Sequence, residues 1–191
     1  MDITIIALAT VATIGRILLL MLLSVLSGWG LAYLAVKSRS FENAYVPLVN
    51  VMESIPVIAF LPVVLLIFIQ GIGGALGVEV AVDFLVFDAV SWNIWIGAYQ
   101  AFKTVPEHLL EVSENYSLSF GRRMLKLYIP HSIPRVISNL FSSFADAFFY
   151  ITVSEVFTVG VNTYQTFGIG TLIALFTRQG DIINVYYSLA C

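Results

Sequence analysis

The side chains that could do chemistry are concentrated in one polar segment, residues 104–134. It holds three glutamates, both histidines and a basic cluster, while the flanking sequence is strongly apolar. His108 and Glu111 lie three residues apart and could contact a metal, but two ligands are weak evidence and a solvated pair is favoured. The chain has no HExxH or GxSxG pattern, which argues against an intramembrane hydrolase. We therefore expect a structured, water-exposed segment that a partner binds.

Composition places the rest of the chain in a membrane. Of the 191 residues 59% are hydrophobic and 11% are charged, with a mean hydropathy of +0.93. Soluble globular domains lie well outside these values. The apolar runs can cross a hydrocarbon core of about 30 Å, which takes roughly 20 helical residues. We predict one bundle, residues 1–191, and no soluble enzyme. Cys191 is the only cysteine and excludes an internal disulfide.

Hydrophobic periodicity predicts four complete spans and an incomplete fifth. The first is a retained helix and not a cleaved signal, because no Lys or Arg precedes it. Pro47, Pro56 and Pro62 should break the second, whose first part up to Ser54 is expected to be interfacial. The predicted elements are spans at 14–36, 40–70, 84–102 and 134–159, a turn at 71–77, a loop at 160–170, a short helix at 171–177 and a fifth span from Ile182.

Basic residues predict the orientation. Lys and Arg flank the first-to-second and third-to-fourth connections, whereas Asp2, Glu79, Asp83 and Asp181 fall on the other side. By the positive-inside rule the polar segment is cytoplasmic and the N-terminus is outside. Arg16 lies near the outer end of the first helix, where it is expected to snorkel to the interface.

Local rules predict two short helices within the polar segment. Thr104 and Glu107 fit a capping box, with Pro106 in the first turn. Ser119 can cap a second helix, which Pro130 should end. The result is an amphipathic helix-turn-helix, and an interfacial hairpin held by lipid headgroups is an equally simple interpretation of amphipathicity alone.

The spacing of the segment resembles the cytoplasmic loop signature of ABC importer permeases. Glu111, Val112 and Ser113 stand where that signature has Glu-Ala-Ala, Pro130 falls nineteen residues after Glu111, and Pro134 follows. Upstream, SIPVIAFLPVVLLIF is similar to a core helix of the nitrate, sulfonate and taurine group. The sequence around Trp92 and Asn93, with GAYQAFKTVP, looks most like the duplicated anion-permease branch. The resemblance covers about residues 13–187.

The resemblance implies an all-α polytopic bundle of the type I importer kind in the cell inner membrane. It implies a separate ATPase that binds the ATP, a second permease copy or fused half, and an extracytoplasmic solute-binding protein. No cofactor, metal or nucleic acid is expected. The cargo would be an anion such as nitrate, a sulfonate, taurine or a sulfate-like ion. The chain also lacks a Gly-rich loop ending in Lys-Ser or Lys-Thr, so the ATPase must be another subunit.

Residues 104–130 would then form the ATPase-coupling loop. Glu111 is expected to accept an ion pair from the ATPase, or from Arg122 or Arg123 within the loop, although a solvated charge worth almost nothing is the simpler alternative. Pro130 and Pro134 would join the loop rigidly to the fourth span. The residues assigned to the loop are Glu111, Val112, Ser113, Tyr116, Ser117, Leu118, Ser119, Arg122, Arg123, Pro130 and Pro134.

The chain departs from the family pattern at two places. Ser117 occupies the position of the loop glycine, where the turn is expected to need a positive φ. Serine would then pay a modest strain cost, or the turn would adopt another geometry. The last core helix is also incomplete, so we expect a fragment of a longer duplicated permease, or a gene product that has lost its remainder.

A polar stripe on the fourth span is the candidate translocation path. It comprises Ser138, Asn139, Ser142, Ser143, Asp146 and Tyr150. Asn93, Tyr99 and Gln100 of the third span could supply neutral donors to the same path. Pore lining is favoured over polar contacts that only hold helices together. Asp146 should be paired or protonated, because a bare carboxylate repels an anion, and Glu155 should lie near the outer surface. A stand-alone channel or an inactive permease remnant remains an alternative.

Overall fold

The computed structural model describes residues 3–159 and 162–190, and most of these are helical. The helices are α1 (Ile3–Lys37), α2 (Arg39–Glu53), α3 (Leu61–Gly71), α4 (Gly74–Lys103), α5 (Glu107–Asn115), α6 (Phe120–Arg123), α7 (Ile129–Ser154), α8 (Ile169–Gln179) and α9 (Ile182–Ala190). A 3₁₀ turn covers Val57–Ala59, and a π turn at Met124–Tyr128 joins α6 to α7. Two short antiparallel strands, β1 (Val156–Val159) and β2 (Asn162–Gln165), follow α7.

Two helices of the described chain are long and apolar enough to cross a membrane. They are Thr4–Lys37 and the continuous helix Phe120–Ser154, which contain the first and fourth predicted spans. The second span is broken as predicted, because α2 ends before Pro56 and α3 begins only at Leu61. Pro47 nevertheless lies within α2. The third span lies in α4, which is 30 residues long and begins ten residues earlier than predicted. The count of four complete spans stays a prediction.

Two sequence-based predictions about loops are wrong. The glycine turn is shorter than 71–77, because Gly73 and Gly74 adopt φ of 79° and 58° and α4 starts at once. Positive φ costs glycine nothing, so two residues suffice to reverse the chain. The predicted 160–170 loop instead contains β2, which pairs with β1, and α7 ends at Ser154, before the predicted 159. The part of that loop at 160 and 161 lies outside the described residues.

The chain divides into two compact units, each assembled from separate segments. The loop-bearing unit consists of Met21–Ile55 and Val90–Ser143, and the terminal unit of Met1–Leu20, Pro56–Ala89 and Phe144–Cys191. In the loop-bearing unit Tyr45 and Val49 of α2 pack on Ala35 of α1 and Ile96 of α4. Trp95 donates from Nε1 to the Ser27 hydroxyl (3.0 Å), and Gly28 admits its ring, because a Cβ there would lie 2.9 Å from Trp95 Cδ1.

In the terminal unit α8 packs against the start of α1. Ile169, Leu172 and Phe176 form a buried cluster with Ile6 and Ala9. The short helix predicted at 171–177 is confirmed and is longer, and Gly180 ends it with a φ of 68°. The α9 helix starts at Ile182, as predicted.

Candidate functional site

The turn after α5 is a Schellman motif centred on Ser117. Ser117 has a φ of 46° and is the one non-glycine residue with positive φ in the described part of the chain. Its N–H donates to the Glu114 carbonyl (2.8 Å), and the Leu118 N–H donates to the Ser113 carbonyl (3.0 Å). These two bonds define the motif, in which a left-handed residue follows the helix and is usually glycine. Ser117 therefore adopts the positive φ expected of the family's loop glycine. This is the first of the two alternatives given above, in which serine bears a modest strain.

The start of α5 differs from the predicted capping box. Pro106 is the N-cap itself, and no side chain bonds to the free N–H groups there. The Thr104 hydroxyl instead donates to the carbonyls of Gln100 and Ala101 (both 3.0 Å) and so completes the end of α4. Threonine hydroxyls readily bond carbonyls three or four residues back, and this competes with capping forward. Ser119 is the N-cap of α6, as predicted, but its side chain makes no capping bond.

The second loop helix does not end at Pro130. The π turn at Met124–Tyr128 carries it into α7, so one helix runs from Phe120 to Ser154. A proline ring clashes with the carbonyl four residues earlier, and a wider turn relieves that clash. The Ile129 N–H accordingly donates to the Met124 carbonyl, five residues back. The loop is thereby continuous with the fourth span, and Pro134 also lies inside the helix.

The loop exposes apolar and charged side chains together. Tyr116 is 78% exposed and Phe120 61%, whereas Ser113 and Met124 are buried. Arg123 pairs with Glu114 at 3.5 Å (Nη1 to Oε1), so the internal ion pair does not involve Glu111. Within the described residues Glu111 and Arg122 make no salt bridge, and both are exposed. His108 and His131 are exposed, and the described chain contains no group of three metal-ligating side chains.

An aromatic cluster anchors the loop within its unit. The Tyr33 ring of α1 meets Phe120 edge-on at 4.8 Å and Tyr128 at 5.6 Å, between ring centroids. Tyr128 also contacts Phe102 at the end of α4, at 4.8 Å. Such pairs contribute about 0.5–1.5 kcal/mol each beyond area burial. Both ends of the loop are thus fixed to helices that enter the apolar part of the chain.

The polar stripe becomes a hydrogen-bonded seam in the loop-bearing unit. Asn93 Nδ2 donates to Ser142 Oγ (2.9 Å) and to Ser143 Oγ (3.1 Å), and Asn139 Nδ2 donates to the Asn93 carbonyl (2.7 Å). Ser143 is buried and Ser142 is exposed. The Ser142 hydroxyl in turn donates to the Asn139 carbonyl (3.0 Å). The seam therefore links α4 to α7 by hydrogen bonds, as the alternative of polar contacts between helices expects.

The remaining members of the stripe stand apart from the seam. Ser138 and Asp146 are exposed, and Asp146 makes no hydrogen bond or ion pair among the described residues. Tyr150 is partly buried, with its ring 5.4 Å from that of Phe149. The expected pairing of Asp146 is therefore not made within the described chain.

Comparison with known protein families shows the family to which the chain belongs. Residues 21–190 match the family described as the binding-protein-dependent transport system inner membrane component. The chain belongs to this family. Among curated relatives, this permease component is similar to a probable ABC transporter permease protein of Haemophilus influenzae, at 26% identity over 69% of the chain. It is also similar to the nitrate import permease protein NrtB of Leptolyngbya laminosa, at 25% identity over 78% of the chain. It spans about half (51%) of the length of each.

The permease component also contains charged contacts that sequence reasoning missed. Glu42 of α2 accepts from Tyr99 Oη (2.5 Å) and Lys103 Nζ (2.7 Å), and these bonds lower the pKa of its carboxyl, Lys103 most and Tyr99 next. Arg16 pairs with Glu79 and with Asp83 (3.2 Å), and its snorkelling to the interface stays a prediction. The sequence signal for this contact was the spacing of Glu79 and Asp83, which lie four residues apart in α4 and therefore share a helix face.

The surroundings of Glu155 were also not predicted from the sequence: the residue is fully buried. Its carboxylate accepts from the Thr13 hydroxyl (2.8 Å) and from the Gly170 N–H (2.6 Å) in the first turn of α8. A carboxylate is stabilised there by the free N–H groups and the dipole of the helix. Gly168 makes room, since a Cβ there would clash with the same carboxylate. The pattern Gly168-Ile-Gly170 before a short helix could have indicated this contact.

Proposed function

We propose that the chain is the translocation subunit of an ATP-driven importer and docks to a separate ATPase through residues 104–130. Family membership supports the transport role. The proposal further has the chain crossing the inner membrane several times, with ATP bound by its partner and no cofactor of its own. An extracytoplasmic binding protein would deliver the solute, and a second permease copy or half would complete the pore.

The single observation that carries the docking proposal is the exposed tip formed around Ser117. Tyr116 and Phe120 stand out on either side of the turn, while Glu111 and Arg122 lack salt-bridge partners within the described chain. Aromatic and arginine side chains in a small patch are typical of the energetic centre of an interface. Unpaired charges of both signs beside them would define the orientation of a partner. A surface hairpin that only rests on lipid would not need a rigid turn of this kind.

The Glu111→Ala variant tests the docking proposal. We expect membrane insertion and assembly to be intact, and substrate-stimulated ATP hydrolysis in the reconstituted complex to be lost. Glu107→Ala is the matched control, because Glu107 is also an exposed glutamate of α5 without a salt bridge among the described residues. Hydrolysis that is unchanged in Glu111→Ala, or lowered equally in both variants, contradicts the assignment of Glu111.

The proposed path runs beside Asn93, Asn139, Ser142 and Ser143, with Asp146 and Tyr150 further along α7. An anion as cargo is supported by the nitrate import named for one relative. Ser142 is the exposed hydroxyl of the seam and donates to the Asn139 carbonyl (3.0 Å), so an anion would bind there by replacing that carbonyl as the acceptor. The cargo class is tested by measuring uptake into vesicles that contain the reconstituted complex. Nitrate, a sulfonate, taurine and sulfate are each supplied together with a binding protein for that solute. Uptake of none of these, by a complex that hydrolyses ATP normally, contradicts it.

A further inference from the structure

The hydrogen-bonded seam between α4 and α7 continues toward residues 104–130 and reaches an arginine. Arg135 Nη2 donates to Gln100 Oε1, and this bond joins the same two helices as the bonds between Asn93 and Asn139. Asn93 and Gln100 are seven residues apart in α4, and Arg135 and Asn139 are four apart in α7, so each pair shares a helix face. Between the two sets of bonds Gly97 leaves room for the Asn139 side chain, because a Cβ there would clash with it. The row of neutral contacts therefore leads to a cation.

Arg135 keeps its positive charge at this position. Its side chain is exposed, and it makes no salt bridge within the described chain. Its hydrogen-bond acceptor there is the side-chain amide of Gln100, which is neutral. A guanidinium has five N–H donors in a planar fork, and this bond uses one of them. Gln100 therefore orients the guanidinium without neutralising it, and leaves donors for an anion.

The exposed face of α7 places Arg135 in line with the proposed path. Ser138 and Ser142 are also exposed and follow Arg135 at three and seven residues, so the three side chains lie along one side of the helix. Ser142 lies about 10 Å from Arg135 along the helix axis, at 1.5 Å per residue. The next ionisable side chain of α7 is Asp146, about three turns further along, and it makes no salt bridge among the described residues. Polar and charged side chains of a membrane helix face the bundle interior or a water-filled cavity. An anion that moves along this face toward the cytoplasm meets hydroxyls first and then a guanidinium.

We propose that Arg135 selects an anionic cargo at the cytoplasmic end of the path, an inference that rests on the proposed function. A guanidinium binds two oxygens of one oxyanion through parallel N–H···O bonds, as nitrate or a sulfonate would allow. A cation at the mouth of a pore favours anions there and disfavours cations. The bond to Gln100 is weaker than a salt bridge to a carboxylate, so an oxyanion can replace it. A lipid phosphate has the same chemistry, and the experiment below distinguishes the two anions.

Restoring the charge chemically tests the role of Arg135 in one and the same variant. Cys191 is the only cysteine of the chain, so Arg135→Cys in a Cys191→Ser background carries a single thiol. The full chain is treated with 2-aminoethyl or 2-sulfonatoethyl methanethiosulfonate, which attach an ammonium or a sulfonate of similar size. The complete complex is then assembled in phosphatidylcholine vesicles, with and without phosphatidylglycerol. Uptake is measured for nitrate, or for whichever of the four anions named above the Cys191→Ser parent transports.

We expect uptake by untreated Arg135→Cys to be about tenfold slower than in the parent, because a hydrogen bond to a charged group is lost. The ammonium should restore most of the rate, whereas the sulfonate should leave it low, in both kinds of vesicle. Arg39→Cys is the matched control, since Arg39 is an exposed arginine without a salt bridge in the described chain and lies in α2, whereas the seam joins α4 and α7. Neither reagent should change its uptake.

The outcomes separate this inference from the proposed function. Equal uptake after the two reagents in Arg135→Cys overturns selection by charge, and so does parental uptake by the untreated variant. A defect confined to vesicles with phosphatidylglycerol also overturns it, because Arg135 then binds the lipid phosphate. A parent that hydrolyses ATP but takes up none of the four anions contradicts the proposed cargo, and the role of Arg135 with it.

Discussion

At the scale of single residues, Ser117 holds a backbone conformation that L-residues avoid. The left-handed region costs such a residue roughly 1–2 kcal/mol, and only glycine enters it freely. The conformation persists because the two Schellman hydrogen bonds and the anchored helices on either side determine it. Strain at a turn is tolerated where the surroundings require the geometry.

Replacing Ser117 with glycine should therefore stabilise the turn. We expect about 0.5–1 kcal/mol, because relief of the left-handed strain exceeds the added freedom of the unfolded chain. Hydrogen exchange measured by mass spectrometry should show amides 116–118 exchanging several-fold more slowly. The control is Ser119→Gly, since Ser119 has an ordinary φ of −60° and glycine there brings no relief. Faster exchange in Ser117→Gly would contradict the left-handed assignment.

Glu155 and Gly168 provide the second prediction at this scale. A methyl group at Gly168 would displace the buried carboxylate from the first turn of α8, at a cost of about 1–3 kcal/mol for overpacking. Gly168→Ala should accordingly lower the thermal unfolding midpoint of the detergent-solubilised chain. Gly30→Ala is the matched control, because no atom lies within 4 Å of a Cβ built there. An equal midpoint for the two variants would rule out the contact.

At the scale of elements, α2 is linked to α4 by hydrogen bonds to an ionisable side chain, Glu42. The folded pKa of Glu42 is lowered by its bonds to Lys103 and Tyr99. A lowered folded pKa gives stability that is present above the unfolded pKa, about 4.3, and is lost as the pH falls through the folded value. The contact should therefore operate fully at neutral pH.

The pH dependence of Glu42→Gln checks this attachment. The difference in unfolding midpoint between wild type and Glu42→Gln should be constant above about pH 5 and shrink as the pH falls below 4. Lys103→Gln removes the largest cause of the lowered pKa, so in that background the pH-dependent part of the difference should be smaller and should be complete at a higher pH. A difference that does not change with pH would show that Glu42 is stabilised by packing alone.

At the scale of the whole molecule, the proposed function gives the seam between α4 and α7 two roles. It links these two helices by hydrogen bonds, and it lines the proposed translocation path. Two adjacent serines allow the two roles to be tested separately. Asn93 donates to both, but Ser143 is buried and Ser142 is exposed. Ser143→Ala should cost about 0.6–1.7 kcal/mol of stability, as interhelical hydrogen bonds do in membranes. Ser142→Ala should leave the unfolding midpoint nearly unchanged and raise the KM for transport. If neither variant alters transport, the seam is structural only.

Sequence alone was sufficient for the class of protein and for its most specific local feature. Long apolar runs require helices in lipid, since every backbone group must be satisfied there. The positions of α8 and α9, the break before Pro56 and the left-handed φ at Ser117 followed from local rules and family spacing. These features depend on neighbours in the chain, so nearby residues determine them.

The tertiary structure decided what residues far apart in sequence do to each other. Glu155 is enclosed by Thr13 of α1 and the first turn of α8, which are distant from it in the sequence. The Thr104 hydroxyl bonds carbonyls of α4 and does not form the predicted capping box. The helix continues through Pro130 because a π turn relieves the clash between the proline ring and the carbonyl four residues earlier. Arg16 paired across more than sixty residues of chain with Glu79. Local propensities differ by a kcal/mol or so, which a single buried contact between distant segments outweighs.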